Sequence, residues 1–297
     1  MELSQLRYVQ AIAETGNFTR AADKMNISQP SLSQQIINLE REIGHRLFHR
    51  LGRKAVLTEA GIVFLERARK ILNEVENATK ELSDSPTLER RITVGAIPTV
   101  CPYLLPPMIE ACKAKYPNLQ IDVREEFRSD LLRAVLEGEV DLAIAATPIT
   151  NPRLSVEPLM TEPLLLVVAK DHPLSKKHDI TVKDIADETF VMLGTSSSVA
   201  AQIQTFFGDR QFVPRIGFRC AQVPTAKLFV SQGYGVSLLP RAVRTRADDK
   251  TLTYLDIPGG NPSRELAIIR HLQRYQSRGA EQFIGLLRQN AAELLAG

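Results

Sequence analysis

The chain has 297 residues, of which 44% are hydrophobic and 24% charged, and its formal net charge is +3. Domains usually hold about 100–200 residues, so this length predicts two or three of them. No run of about 18 apolar residues occurs, which argues against a transmembrane helix. The first residues also lack the basic and apolar segments of a signal peptide. We therefore expect a cytoplasmic protein with no membrane partner.

Three cysteines, Cys101, Cys112 and Cys220, are scattered along the chain without a CxxC spacing or a histidine at ligand spacing. This pattern argues against a disulfide framework and against a zinc site. We expect no metal and no cofactor, and cysteines that are reduced and packed as small hydrophobic side chains.

The net charge is concentrated at one end of the chain. Residues 1–58 contain eight Lys or Arg against five acidic residues, whereas residues 59–297 are balanced at 29 of each. A basic bias that is confined to one end favours a polyanion as the partner of that end, although solvated charge alone would give the same count.

The first 44 residues have the pattern of three helices. Thr19 is the predicted N-cap of a short helix, Arg20–Met25, and Ser28 caps a third helix with Pro30 in its first turn. That third helix is expected to end at Gly44. The first helix is indicated by apolar residues at helical spacing, namely Leu3, Leu6, Val9, Ile12 and Ala13. Two short helices joined by a tight turn predict a helix-turn-helix.

Residues 45–58 differ from the helices before them. Two short apolar pieces flank a basic tip over residues 50–54, where Gly52 is suited to a turn. This pattern predicts a small hairpin, or wing.

A long helix is predicted from Thr58 to Ser83, with no Gly or Pro from Ile62 onward. Its apolar positions follow at spacings of four and three, which favours pairing with another helix. The alternative is an amphipathic helix that packs on its own domain. The positions of this seam are Phe64, Ala68, Ile71, Val75, Ala78 and Leu82.

From Arg90 onward, strands alternate with helices, which predicts a parallel sheet covered on both faces. Leu164–Lys170 has the pattern of a crossing strand between two similar α/β lobes that leave a cleft between them. The expected strands are 91–95, 120–125, 142–145, 190–193, 215–219, 235–239 and 266–270, and the expected helices 104–116, 130–137, 199–207, 225–231 and 277–295. The fold class is therefore α/β overall.

Several motifs in this order and spacing resemble the LysR-type transcriptional regulators. They are Phe18–Ala22, Ser28–Ser33, Leu39–Glu40, Gly44, Leu47–Phe48 and Leu57–Gly61, followed by Gly138 with Asp141, Asp171–Leu174 and Gly233–Pro240. The resemblance implies an all-α winged helix-turn-helix over 1–58 and a dimerising linker helix over 59–88. It also implies a two-lobed sensor similar to periplasmic binding proteins over 89–297, with lobe I at 89–164 and 266–297 and lobe II at 165–265.

The resemblance further implies the partners of the chain. They are double-stranded DNA, a small-molecule effector, a second copy through the linker helix in a homodimer or homotetramer, and RNA polymerase if the protein is an activator.

The predicted recognition helix would insert its N-terminal residues into the major groove. A glutamine can bind adenine through two hydrogen bonds, and a serine can contact a base edge or a phosphate. Many relatives have arginine where this chain has Gln34, so the base contacted there is open. The predicted DNA contacts are Thr19, Arg20, Gln29, Pro30, Ser31, Ser33, Gln34 and, in the wing, Arg50, Arg53 and Lys54.

The effector is expected at the loops that follow the carboxyl ends of the parallel strands. Hydroxyl groups at helix N-termini favour a small anion, although solvated loops and helix caps would show the same residues. The candidates are Thr99, Val100, Cys101, Thr147, Ser196, Ser197, Ser198, Gln222 and Thr225.

The sensor segment also resembles the peroxide-sensing branch of the family. Matching Gly235–Pro240 to that branch puts its reactive cysteine at Ser198 and its resolving cysteine at Phe207, so this chain lacks both thiols. Cys101 stands at a helix start, which can lower a thiol pKa, and a redox role for it is a weaker alternative.

Two other classes of protein fit the sequence less well. An enzyme is disfavoured because no nucleophile–base pair, Walker loop or GxGxxG is visible, so no catalytic residue is assigned. A solute-binding protein is disfavoured because residues 1–82 have the pattern of a DNA-binding end.

Overall fold

Three helices with facing apolar stripes form the core of the first unit. This computed structural model describes residues 1–51, 54–82, 91–177, 180–194, 197–209, 213–257 and 260–294. The helices are α1 (Leu3–Thr15), α2 (Phe18–Lys24) and α3 (Gln29–Ile43). Apolar side chains from all three are buried in one cluster, among them Val9, Ile12, Ala22, Ile36 and Leu39. The predicted three-helix arrangement is therefore confirmed.

The ends of these helices are set by local hydrogen bonds. Asn17 is the N-cap of α2, because its side chain accepts from the backbone amides of Thr19 and Arg20. The prediction that Thr19 is this cap is wrong, since the helix begins two residues earlier. The predicted cap of α3 is confirmed, with the Ser28 hydroxyl accepting from the Ser31 amide at 3.3 Å. Gly44 ends α3 with a φ of 73°, as expected for a left-handed C-cap.

A hairpin and a long helix complete this unit. Strands β1 (Phe48–Leu51) and β2 (Lys54–Leu57) pair in antiparallel fashion, and α4 (Glu59–Leu82) follows. The hydroxyl of Thr58 accepts from the amide of Gly61 at 2.9 Å, which caps the first turn of α4. A Cβ added at Gly61 would lie 2.1 Å from the Leu47 carbonyl oxygen, so only glycine permits this close approach. The predicted turn residue Gly52 lies outside the described residues.

The second unit is an α/β structure with two cores. Its elements are β3 (Arg91–Ala96), α5 (Cys101–Lys115), β4 (Gln120–Glu125), α6 (Arg128–Glu137), β5 (Leu142–Ala146), β6 (Leu154–Ala169), β7 (Thr189–Leu193), α7 (Ser198–Gly208), β8 (Arg215–Cys220), α8 (Val223–Ser231), β9 (Ser237–Pro240), β10 (Leu252–Leu255), β11 (Ser263–His271) and α9 (Arg278–Leu294). The strand order along the main sheet is β10-β6-β11-β5-β3-β4, with β9 also paired to β6 and with β7 and β8 paired separately. β3 pairs in parallel with β4 and β5, as the alternating pattern predicts. β11 pairs in antiparallel fashion with β5 and β6, so the main sheet is mixed and the prediction of a parallel sheet is wrong for this part of it.

Two strands run through both lobes. β6 has 16 residues, more than the predicted Leu164–Lys170, and pairs with β11 along the whole length of β11. The start of β6, at Leu154, lies in the core of the first lobe, and its segment from Leu164 lies in the core of the second. The two-lobed architecture is therefore confirmed, with β6 and β11 as the crossing strands.

The second lobe has one glycine that its packing requires. Gly235 has a φ of 150°, and a Cβ there would lie 2.1 Å from the Thr189 carbonyl oxygen. The structure also has β10, a short strand that the sequence pattern does not predict. Within the described residues, none of the helices has the length and apolarity needed to cross a bilayer.

Candidate DNA-binding surface and effector cleft

The N-terminal turn of α3 is exposed and carries most of the predicted DNA contacts. Gln29, Pro30, Ser31 and Gln34 are exposed there, while Leu32 behind them is fully buried. Thr19 and Arg20 are exposed in the first turn of α2. The exposure of these amide and hydroxyl side chains makes them accessible to base edges and phosphates.

Ser33 differs from the other predicted contacts because it is buried, with an exposure of 9%. Its hydroxyl accepts from the side-chain amide of Gln29 at 2.8 Å. Gln34 donates in the same way to Asn38, at 3.0 Å. The structure therefore brings Ser33 to the side chain of Gln29 rather than to the surface.

The wing is held to α3 by a carboxylate. Glu40 accepts from the backbone amides of Leu47 and Phe48 through one oxygen, at 2.7 and 3.3 Å. This fixes the start of β1 beside the recognition helix. Lys54 is exposed at the start of β2 and Arg50 lies on β1, whereas Arg53 lies outside the described residues.

Helix α4 has two adjacent apolar faces. With about 100° of rotation per residue, the predicted seam is centred about 70° away from a second stripe formed by Leu65, Ala68 and Leu72. Ala68 and Leu72 are buried against Leu6 of α1, and Phe64 is half-buried in the same cluster. For Ala68 the seam prediction is therefore wrong, since this residue is fully buried in its own domain, whereas for Phe64, which is only partly buried, it stays a prediction.

The rest of the predicted seam is available to a partner. Ile71 is 40% exposed and Leu82 is 91% exposed, Ala78 is exposed, and Val75 is partly exposed. These four side chains follow one another along the same face of the helix.

In the second unit, a small cavity lies where four helices begin. Its described lining comes from the residues that lead into α5, the first turns of α6 and α7, and the start of α8. These lining residues are Ile97, Pro98, Thr99, Phe127, Arg128, Ser197, Ser198, Ala221, Gln222 and Val223. The volume of the cavity is about 20 Å³, which is room for about one water molecule. The partial positive charges of four helix N-termini therefore converge on one point between the lobes.

Two donor groups that line this cavity have no partner within the described residues. The Ser198 hydroxyl is buried, with a residue exposure of 7%, and has no hydrogen-bond partner among the described residues. Arg128 has neither an ion pair nor a hydrogen bond within the described part of the chain. Among the described side chains, none caps α5, α6 or α8, whereas Ser197 caps α7.

Sequence reasoning predicted four of these lining residues, Thr99, Ser197, Ser198 and Gln222, but not Arg128. The rule that points to loops after parallel strands applies to the end of β4 as well, and would have identified Arg128 there.

The other effector candidates do not line the cavity. Val100 is the buried N-cap residue of α5, and Thr225 is exposed on α8. Thr147 donates to Glu265 and accepts from Gln202 through its carbonyl oxygen, so it connects β5 with β11 and α7. Ser196 lies outside the described residues.

Cys101 is buried beside the cleft, and its environment opposes a thiolate. Burial, followed by the negative charge of Glu125 and a hydrogen bond to that carboxylate, raises the pKa of Cys101 to about 11. The suggestion that the helix start lowers this pKa is therefore wrong, because desolvation and Glu125 outweigh the helix dipole.

Known proteins match this chain in both the DNA-binding end and the domain that contains the cavity. Residues 3–62 match the model of the bacterial regulatory helix-turn-helix protein, lysR family, and residues 86–292 match the LysR substrate binding domain. The uncharacterized HTH-type regulator YcgK of Bacillus subtilis is 30% identical, over 98% of this chain and 95% of its own. A hydrogen peroxide-inducible genes activator of Pectobacterium carotovorum is 33% identical, over 91% and 90%.

Solved structures show the same likeness. A cysteine-to-serine mutant of Corynebacterium glutamicum OxyR with H2O2 bound has a TM-score of 0.66 and 29% identity, over 99% of this chain and 94% of that one. The matches cover the DNA-binding end and the effector-binding domain alike, so the protein is a regulator rather than an enzyme. The chain belongs to the LysR family of bacterial DNA-binding transcriptional regulators.

Proposed function

We propose that this protein controls transcription by binding operator DNA through α3 and the wing, in response to a small carboxylate held in the interlobe cavity. The observation that carries the effector class is that the buried Ser198 hydroxyl and the Arg128 guanidinium line one cavity, and neither has a partner within the described residues. Both groups lie in the first turn of a helix, where negative charge is favoured.

An anion is the ligand that such donors require. Buried polar groups in proteins nearly always have a hydrogen-bond partner, so Ser198 is a candidate for a ligand contact. A guanidinium and a carboxylate form two parallel hydrogen bonds, which are stronger than bonds between neutral groups. A carboxylate would therefore satisfy Arg128 and Ser198 together.

The size of the cavity implies movement. About 20 Å³ is too small for a carboxylate of several atoms, so effector entry requires the cleft to widen. The lobes are joined by β6 and β11, and bending of these strands would transmit effector binding to the rest of the chain.

A thiol switch for peroxide is not supported. The described cysteines are all buried, and burial raises the pKa of each of them, most strongly for Cys101, where the charge of Glu125 adds to burial. The thiolate, not the thiol, is the reactive form. The likeness to peroxide-inducible activators therefore extends to the fold but not to this chemistry.

We also propose a homodimer formed through the exposed face of α4, and a homotetramer built from two such dimers. If the protein activates transcription, it would contact RNA polymerase from its site on the chromosome, in the cytoplasm.

The test uses the full chain and acetate, propionate and butyrate as effector probes. Duplexes selected from a randomised library supply the operator, and DNase I footprints are recorded while each carboxylate is titrated at constant ionic strength. We expect the footprint to change with carboxylate in the native chain. Arg128→Gln should raise the half-saturating concentration about tenfold or more, because a hydrogen bond to a charged group is lost.

Arg133→Gln is the matched control, since it removes an exposed arginine from the same helix. Arg133 pairs with Glu137 at 3.0 Å, outside the cavity, so its loss should leave the titration unchanged. The carboxylate proposal is wrong if Arg128→Gln behaves like this control, or if only uncharged ligands change the footprint.

A further inference from the structure

The recognition helix α3 has an exposed stripe that continues beyond its first turn. Pro30 and Gln34 are predicted DNA contacts, and Ile37 and Arg41 follow them at spacings of three and four residues. With about 100° of rotation per residue, these four exposed side chains lie within an arc of about 60°. The opposite face of α3 is buried in the domain core through Leu32, Ile36 and Leu39. The surface that α3 offers to DNA therefore extends over about three turns.

The carboxamide of Gln34 is held by the next turn of the helix. Its Nε2 donates to the Asn38 Oδ1 at 3.0 Å, and Gln34 makes no other side-chain hydrogen bond in the part of the chain that the structure describes. A primary amide has two N–H donors and one oxygen, so Gln34 keeps one donor and its oxygen for another molecule. Adenine presents the matching pair in the major groove, an acceptor at N7 and a donor at N6, whereas guanine presents two acceptors. The available groups of Gln34 are therefore complementary to adenine.

The hydrogen bond to Asn38 restricts the long side chain of Gln34 before DNA binds. A mobile glutamine loses rotamer entropy when a ligand immobilises it, and a side chain that is already held loses less. A hydrogen bond of this kind between residues i and i+4 stabilises a helix only weakly. Its main consequence on this exposed face is thus the orientation of the Gln34 amide.

Ile37 places an apolar side chain beside this amide. It is 36% exposed and follows Gln34 by three residues, so the two side chains are neighbours on the helix surface. The methyl group of thymine is the apolar feature of the major groove. A segment with A·T pairs therefore offers a partner to Gln34 and to Ile37 together.

We infer that Gln34, positioned by Asn38, and the neighbouring Ile37 specify A·T base pairs in the operator, with the amide bound to adenine and the isoleucine against a thymine methyl group. This inference rests on the proposed function and deepens it, because it names the bases that the middle of α3 contacts.

The first experiment locates the adenine by selection. Duplexes are selected from a randomised library with the native full chain and, separately, with Gln34→Arg. We expect one adenine of the native operator to be replaced by guanine, because arginine pairs with the O6 and N7 atoms of guanine. An unchanged operator, or a change to another base, overturns the role of Gln34.

Base analogues then test each contact in the native operator by equilibrium binding. 7-Deazaadenine at the located position lacks N7 and should weaken binding about fivefold. Deoxyuridine in place of the neighbouring thymine lacks the methyl group and should weaken binding about fourfold. The first penalty should disappear in Gln34→Ala and the second in Ile37→Ala. A penalty that is absent from the native chain, or that survives in its variant, overturns that contact.

Ile62→Ala is the matched control for Ile37→Ala. Ile62 is another exposed isoleucine of the same unit, on α4, with an exposure of 52%. This variant should retain the full deoxyuridine penalty. Loss of the penalty in both variants would mean that Ile37 does not contact the methyl group.

Asn38 is tested through base preference, because it acts through Gln34. Asn38→Ala should lower the preference for adenine over guanine several-fold and leave the salt slope unchanged. Asn38→Asp keeps an acceptor for Gln34 and should preserve this preference, although its negative charge weakens binding to every duplex. A merely structural Asn38 would change the melting temperature of Asn38→Ala and leave the preference as it is.

The possible failures are separable from those of the proposed function. A selected operator whose footprint responds to carboxylate, but which shows none of these base effects, overturns this inference and retains the proposed function. If the native chain enriches no duplex, both are wrong.

Discussion

Near the cleft, the side chain of Arg128 favours negative charge, whereas the surroundings of Cys101 oppose it. Arg128 lines the cavity with a guanidinium that has no partner within the described residues, and it therefore favours an anion. Cys101, at the start of α5, is buried beside the carboxylate of Glu125, which opposes a second negative charge. The cleft is thus suited to bind an anionic ligand and unsuited to form an anionic thiolate.

The thiol of Cys101 should be unreactive at neutral pH. With its pKa raised from 9.0 to about 11, its thiolate fraction at pH 7.5 is lower than that of an ordinary thiol by roughly one hundredfold. We expect slow alkylation by iodoacetamide, measured by mass spectrometry, and no change in the DNA footprint with hydrogen peroxide. The urea-unfolded chain is the control and should alkylate at the rate of a free thiol.

The sign of the accompanying pH effect follows from the same shift. The folded state holds the Cys101 proton more tightly than the unfolded state, so stability is lost as pH rises from about 9 to 11. Rapid alkylation of Cys101 in the folded chain at pH 7.5 would contradict this assignment and return a redox role to consideration.

The sequence predicts which residues belong to the cavity better than it predicts which side chains they contact. Thr99 and Ser198 are identifiable because loops after parallel strands are marked by the strand pattern. The contact between Thr99 and Arg264 is not predictable, because it depends on the register of β11 against β6 and spans 165 residues of chain. Ser33 is assigned to the surface by its place in the recognition helix, although it lies on the buried side of that helix, next to Leu32.

Among the elements, α4 illustrates why a heptad pattern is ambiguous. One stripe, with Ala68 and Leu72, packs against Leu6 of the same chain, and the neighbouring stripe with Ile71 is exposed. Both stripes have apolar residues spaced three and four apart. Their centres are only about 70° apart around the helix, which is less than the rotation of about 100° between successive residues. Only the fold shows which of them remains available to another copy.

Substitution of Ile71 should weaken self-association through this exposed stripe. Ile71→Glu introduces a charge into the proposed dimer contact, where its burial is costly. We expect the dimer dissociation constant to rise tenfold or more, by roughly the cost of burying an unpaired polar group. Sedimentation velocity measures the oligomer over a range of concentrations.

Ile62→Glu is the matched control for this experiment. Ile62 is also on α4 and is 52% exposed, but it lies nearly opposite the Ile71 face of the helix. It should leave the oligomer unchanged. If both variants dissociate equally, the contact does not use the predicted face; if neither does, α4 is not the dimer contact.

Element boundaries were predictable where side chains cap or end a helix, and less so elsewhere. Ser28 and Gly44 define α3 as expected. Helix α5 begins three residues before its predicted start because Pro102 is tolerated in a first turn. The first ten residues of β6 are mostly half-buried in an irregular pattern and contain Pro158 and Pro163, so the alternation is too weak to predict a 16-residue strand.

In the molecule as a whole, the net positive charge lies in the DNA-binding end and not in the effector-binding domain. The net excess of three positive charges lies within residues 1–58, which form the helix-turn-helix and wing, while the remaining residues are electrically balanced. Affinity for DNA backbone comes from Lys and Arg that neutralise phosphates and release counterions. The salt dependence of DNA binding should therefore arise almost entirely from the first unit.

Lys54 of the wing provides the sharpest test of this separation. It is exposed at the start of β2, so Lys54→Gln should weaken binding to every duplex and reduce the slope of log affinity against log salt by about 0.9. Lys250→Gln, a change of another exposed lysine in the second unit, should alter neither the affinity nor the slope. Equilibrium binding to the selected operator and to a scrambled duplex at several salt concentrations measures both slopes. A wing lysine that contacts a base instead of phosphate would lose affinity for the operator alone, whereas equal slopes for the two variants would mean that the wing does not touch the DNA.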